Sequence, residues 1–148
     1  MQTQTNGGSK LNTPSGVNPR QTVFPSAWEK VKAFQQIVGS RTPDNPEFPS
    51  HEDTDLIIRV LDEEVSELFE ALLNQTDLNN LVKELTDCLT GVLLAAVYCG
   101  VNIDKAFDLT FRSHLSKLID SNYSSNGKLL KGPNYLEPDF SFMIADDE

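Results

Sequence analysis

Two short acidic clusters separated by a turn constrain this chain more than any other feature. They are Glu63-Glu64-Val65-Ser66-Glu67 and Glu84-Leu85-Thr86-Asp87. Each pairs acids three residues apart, and residues three or four apart share a helix face. Between them, Asn74, Gln75, Thr76 and Asp77 read as a turn. Two helices folding back at that turn bring four to five carboxylates together. Like charges at such spacing repel, so the cluster costs stability until something neutralises it. A divalent cation would do so. The ligand set is all oxygen, which suits Mg²⁺ or Mn²⁺ and is the pattern of a hard-metal site that handles phosphate.

The rest of the chain reads as helices around that hairpin. A first helix is expected over Ala27–Val38, opened by the Ser26/Glu29 capping box and stopped by Gly39. Pro43, Pro46 and Pro49 make an extended linker. The second helix starts near Ser50 and runs to about Leu73. The third runs from about Leu78 to Cys99, and a fourth from its Asn102 cap to about Leu118. Ser121–Asn126 is a turn-rich loop, and the segment from Gly127 to Pro138 reads as extended chain or a short hairpin. Residues 1–23, rich in Gln, Asn, Thr, Ser and Gly, read as a polar tail ahead of a single domain over 24–148. The stretch Cys88–Tyr98 is apolar on nearly every face, which calls for burial all round. The other helices are too few to enclose it. The expected fold is therefore all-α: a four-to-five-helix bundle completed by oligomerisation, with a short extended C-terminal segment.

Helical phase places the acids. Ile57, Leu61, Val65, Leu68 and Leu72 centre one face of the second helix, with Glu64 on its flank and Glu67 and Glu63 further round. On the third helix Leu81, Leu85, Cys88, Leu89, Val92 and Ala96 form the apolar side, flanked by Glu84 and Asp87. Both acid pairs thus border the core. A solvated face would mix in lysine, but Asp62 to Glu70 holds five acids and no base. Neither His51 nor His114 stands at the Glu-x-x-His spacing of a di-iron bundle.

The cations that could meet phosphate come later, at Arg112, Lys117, Lys128 and Lys131. With 22 acidic against 12 basic residues, the formal charge of −10 argues against the broad basic surface of a nucleic-acid binder. Cys88 and Cys99 form no C-x-x-C and read as buried, reduced thiols of a cytoplasmic protein. The apolar stretch around them is too short to span a bilayer, and no secretory signal is visible, so no membrane partner is expected.

Glu64-x-x-Glu67, a spacer, then Glu84-x-x-Asp87 resembles the signature of the all-α nucleoside triphosphate pyrophosphohydrolases, the MazG-like group. That group also takes in dimeric dUTPases and phosphoribosyl-ATP pyrophosphohydrolases. The likeness runs from about Trp28 to Phe140. The run from Arg112 to Lys117, Gly127-Lys128 and Lys131-Gly132-Pro133-Asn134-Tyr135 are similar to short phage and bacterial members. One departure is His114, where relatives usually carry Asn.

The resemblance implies a homodimer or homotetramer that hydrolyses an NTP or dNTP between its α- and β-phosphates, giving the monophosphate and pyrophosphate. It implies Glu64, Glu67, Glu84 and Asp87 as ligands of Mg²⁺ or Mn²⁺, two or more per site. Glu63 and Glu64 are the implied catalytic carboxylates, Glu63 orienting the attacking water or holding a further metal. Arg112, Lys117, Lys128, Lys131, Asn134 and Tyr135 are the candidates for the triphosphate. A purine, (d)GTP first, is the substrate suggested by short phage members, and Gln35 and Gln36 are placed to read a base edge. The competing reading is an inactive nucleotide-binding or helical assembly module.

Overall fold

The computed structural model describes residues 25–75, 77–119 and 122–144. The proposed tail over 1–23, and Thr76 and Ser121 of the two turns, lie outside the described residues. The chain is helical: α1 Ala27–Val38, α2 His51–Asn74, α3 Leu78–Tyr98, α4 Ile103–Ser116 and a single-turn α5 Ser141–Ile144. Among the described residues there is one isolated antiparallel bridge, Tyr123 to Leu129, in the segment where the sequence allows extended chain or a short hairpin.

Local chemistry explains the helix ends. Ser26 Oγ accepts from the Glu29 amide at 3.1 Å, and the Glu29 carboxylate accepts from the Ser26 amide at 2.6 Å. Ser50 Oγ accepts from the Asp53 amide at 3.1 Å at the start of α2. The turn into α3 puts Gln75 in the left-handed region, and Asp77 then accepts from the Asn79 amide at 2.9 Å. Asn102 opens α4 by accepting from Lys105 N at 3.1 Å. No single helix among the described residues is long and apolar enough to cross a membrane.

Packing is led by α2 against α3, with α1 laid on α3. Among the buried residues of α3, Glu84, Gly91 and Tyr98 are spaced one heptad apart, and Gly91 lies against Val60, Leu61 and Glu64 of α2. Gly91 sets the closeness: a Cβ there would lie 3.1 Å from Leu61 Cδ2. This rotates α3 relative to the expected phase. Leu85, Leu89 and Val92, expected to pack, face outward at 50%, 51% and 45% exposure, while Glu84, expected on the flank, is buried at 4%. The apolar arc of α3 is wider than one helix can cover, so α2 takes the line that lets the backbones approach. Among the described residues the buried apolar core is small, made of Ile57, Ala71, Leu93, Ala96, Val97 and Tyr98. A second uncovered apolar stripe, Phe107, Phe111, Leu115 and Leu118, runs along α4 and just past its end. Cys88 and Cys99 are free thiols, half-buried rather than fully buried, and burial raises the Cys99 thiol pKa.

The proline linker crosses the end of α3, where the Glu47 amide donates to the Cys99 carbonyl at 2.9 Å. Gly100 has φ +65°, and a Cβ would fall 2.2 Å from the Asn45 carbonyl oxygen. Gly100→Ala is therefore expected to cost at least about 2 kcal/mol, from left-handed strain plus displacement of the linker. The urea midpoint measures it, and an unchanged midpoint would show that the linker is not held there.

Beyond α4 the chain folds back onto that helix through two buried serines. Ser113 Oγ donates to the Tyr135 hydroxyl at 2.9 Å, and Ser116 Oγ accepts from the Leu136 amide at 2.9 Å.

Candidate metal centre

The α2–α3 hairpin brings the two acidic clusters together. Glu64 from α2 and Glu84 and Asp87 from α3 each present a carboxylate oxygen, all within 4.8 Å of one another. Glu67, one turn along α2 from Glu64, joins them from the side. Its protonated form can hydrogen-bond to Glu84, and that, with repulsion from the Glu84 charge, raises its pKa above the ordinary carboxylate value. Glu63, next to Glu64 in sequence, is exposed. The three convergent oxygens, one of them on a carboxylate 4% exposed, fit a hard divalent ion, which gathers oxygen ligands at just over 2 Å.

One cation already stands in this cluster, and helical phase had not singled it out. The Lys83 ammonium lies 3.1 Å from each oxygen of Glu84, 3.0 Å from Asp87 Oδ2 and 3.8 Å from Glu67 Oε2. Its hydrogen bonds to Asp87 and then Glu84 push its pKa above the usual lysine range. The Lys83/Asp87 spacing of four was the one sequence signal for this contact.

Two cavities are lined by these acids. One, of about 280 Å³, has Glu64 and Asp87 in one wall and Lys30, Phe34 and Gln35 of α1 in the other, with Gly91 among its lining. The second, of about 270 Å³, is polar and carries Glu67, Glu70 and Glu84. The first is mostly apolar and opens directly from the acids, as a site for the uncharged part of a phosphorylated ligand would. Gln35 lines it, whereas Gln36 is exposed and does not appear in its wall.

Of the later candidates, Lys117 and Lys131 gather at the Tyr135 ring. Lys131 pairs with Glu137 at 2.6 Å and lies 4.3 Å from the centre of the Tyr135 ring, with Lys117 at 5.6 Å from the same ring. That pairing raises the Lys131 pKa and lowers the Glu137 pKa. Arg112, His114, Lys128 and Asn134 are exposed. Among the described residues, no ion pair joins Arg112, Lys117, Lys128 or Lys131 to the acids of the hairpin.

The profile of the phosphoribosyl-ATP pyrophosphohydrolase family matches residues 31–114. The chain belongs to that family. The match covers more than half of the sequence and contains Gln35, both acidic clusters and Lys83, and it ends before Lys117, Lys128, Lys131 and Tyr135. It supports the all-α pyrophosphohydrolase group named from the acid signature, and with it hydrolysis of a nucleotide substrate. No curated protein was found to match the chain.

Glu67 gives the centre a pH dependence whose sign can be worked out. Its folded pKa is raised, so protonation favours the folded state. Its contribution is complete below the ordinary carboxylate value and is lost as pH rises through the raised one. Glu67→Gln mimics the protonated form at every pH. Without metal, the variant should match wild type in acid and exceed it in thermal stability near neutrality. A gap that widens in acid instead would contradict the coupling to Glu84.

Proposed function

We propose that this protein is a metal-dependent nucleoside triphosphate pyrophosphohydrolase. It would cleave a (d)NTP between the α- and β-phosphates to the (d)NMP and pyrophosphate. The observation that carries the reading is the convergence of Glu64, Glu84 and Asp87 beside a mostly apolar cavity, in a chain of a pyrophosphohydrolase family.

Glu64, Glu67, Glu84 and Asp87 would hold Mg²⁺ or Mn²⁺, two or more ions per site. When bound, such ions neutralise phosphate oxygens and make water a better nucleophile. Glu63, exposed next to Glu64, would orient the attacking water and take its proton. The nucleoside would lie in the cavity, against Phe34, with the Gln35 amide reading a base edge. A purine, (d)GTP first, is the proposed base. Arg112, Lys117, Lys128, Lys131, Asn134 and Tyr135 would serve the β- and γ-phosphates.

We place that second group across a subunit boundary, in a homodimer or homotetramer. Support comes from the uncovered leucines of α3 and the stripe on α4, too much apolar surface for a stable single chain.

A panel of NTPs and dNTPs, together with phosphoribosyl-ATP, tests the reading in Mg²⁺ or Mn²⁺ and again in chelator. The expected result is metal-dependent release of pyrophosphate, fastest with (d)GTP. Turnover of phosphoribosyl-ATP alone would move the substrate assignment, and full activity in chelator would remove the metal.

A further inference from the structure

We propose that Lys83 is a tethered counter-ion that neutralises the acids of the centre in the metal-free protein and must leave them for a divalent ion to enter. This rests on the metal reading given above and adds a step to it, an exchange of one cation for another.

The geometry differs from an ordinary surface ion pair. A single ammonium reaches three carboxylates, at 3.0 Å, 3.1 Å and 3.8 Å, and two of them belong to the convergent triad. It meets both oxygens of Glu84. A divalent ion would take an oxygen of Glu84 at just over 2 Å, and two cations brought together on one buried carboxylate repel, which drives the ammonium away. Glu84 is 4% exposed, and Lys83 is the cation the structure places on it. Without that partner, a buried carboxylate beside Glu64, Glu67 and Asp87 would stand against like charge on every side. Lys83 also stands where leaving is easy. Its side chain is 59% exposed, and its four-carbon stem turns freely into water.

Two consequences follow. Without metal, the protein tolerates its acidic cluster because Lys83 neutralises part of it. Metal loading is weakened by the work of displacing the ammonium, so the centre half-fills only at a higher concentration of free metal. Exposed ion pairs are individually weak, but three made by one ammonium and lost together amount to roughly tenfold in affinity.

The test compares wild type, Lys83→Met and Lys83→Arg, titrated with Mn²⁺ alone and no nucleotide. Calorimetry reads affinity, and thermal denaturation reads the metal-free state. Lys83→Met should bind Mn²⁺ about tenfold more tightly and melt several degrees lower without metal. Lys83→Arg keeps the charge and should bind no more tightly than wild type. In wild type, the ammonium resonance of Lys83, slowed in exchange by its three partners, should vanish on adding Mg²⁺. Wild-type affinity or weaker in folded Lys83→Met, or an ammonium signal that survives saturating Mg²⁺, would overturn this inference and leave the metal centre standing. Failure of wild type to bind Mn²⁺ at all would overturn both.

Discussion

Glu84→Gln is expected to lower turnover at least about a hundredfold while the protein stays folded. The substitution is nearly isosteric, so the packing of α2 on α3 around Gly91 survives. What changes is charge. Glu84 is the most buried acid of the hairpin, and its oxygens converge with those of Glu64 and Asp87. A neutral amide offers one weaker oxygen where a hard cation requires a carboxylate. Stability without metal should hold, because the lost Lys83 contact is offset by relief of repulsion from Glu64, Glu67 and Asp87. Steady-state kinetics at saturating Mg²⁺, set beside a thermal melt, separates the two effects. Near-full activity in a folded variant would remove Glu84 from the centre.

The second large effect concerns assembly. Wild type should be a dimer or larger at micromolar concentration, and Leu89→Asp should raise its dissociation constant at least about a hundredfold. Leu89 and Val92 stand about half exposed on the outer side of α3, and Phe107, Phe111 and Leu115 continue the apolar surface on α4. Covering one leucine is worth about 1.5–3 kcal/mol, and forcing a carboxylate into the same contact adds a desolvation penalty. A total near 3 kcal/mol is about two orders of magnitude in affinity. Because Leu89 faces away from α2, each subunit should keep its own hairpin. Sedimentation velocity reads the outcome directly. A wild-type monomer that is stable at micromolar concentration would contradict it.

Some of this architecture is legible in the chain because it depends on neighbours in sequence. The bounds of α1 follow from Ser26, Glu29 and Gly39, and the hairpin follows from turn residues set between two amphipathic stretches. The meeting of Glu64 with Glu84 and Asp87 is equally local in origin: spacing puts each pair on one helix face, and the short turn leaves those faces little choice. The rotation of α3 is different. Its apolar residues lie on several faces, so hydrophobicity could not say which line α2 would cover. Backbone approach at Gly91 decided it, and drew Glu84 inside. Lys83 escaped notice because a lysine on an acidic helix reads as solvated, and only the closeness of α2 turns it onto Glu67 as well as Glu84 and Asp87. Ser113 and Ser116 are likewise unremarkable in sequence. They become anchors only when Tyr135 and Leu136 return to α4 from some twenty residues away.

The account stands most directly on where water attacks. Hydrolysis of dGTP in ¹⁸O-labelled water with Mg²⁺, followed by mass analysis of both products, reads that atom. The proposed attack at the α-phosphorus, beside acids that would hold the metal, predicts one ¹⁸O in the nucleoside monophosphate and none in the pyrophosphate. Label in the pyrophosphate, or orthophosphate as the first product, would contradict it.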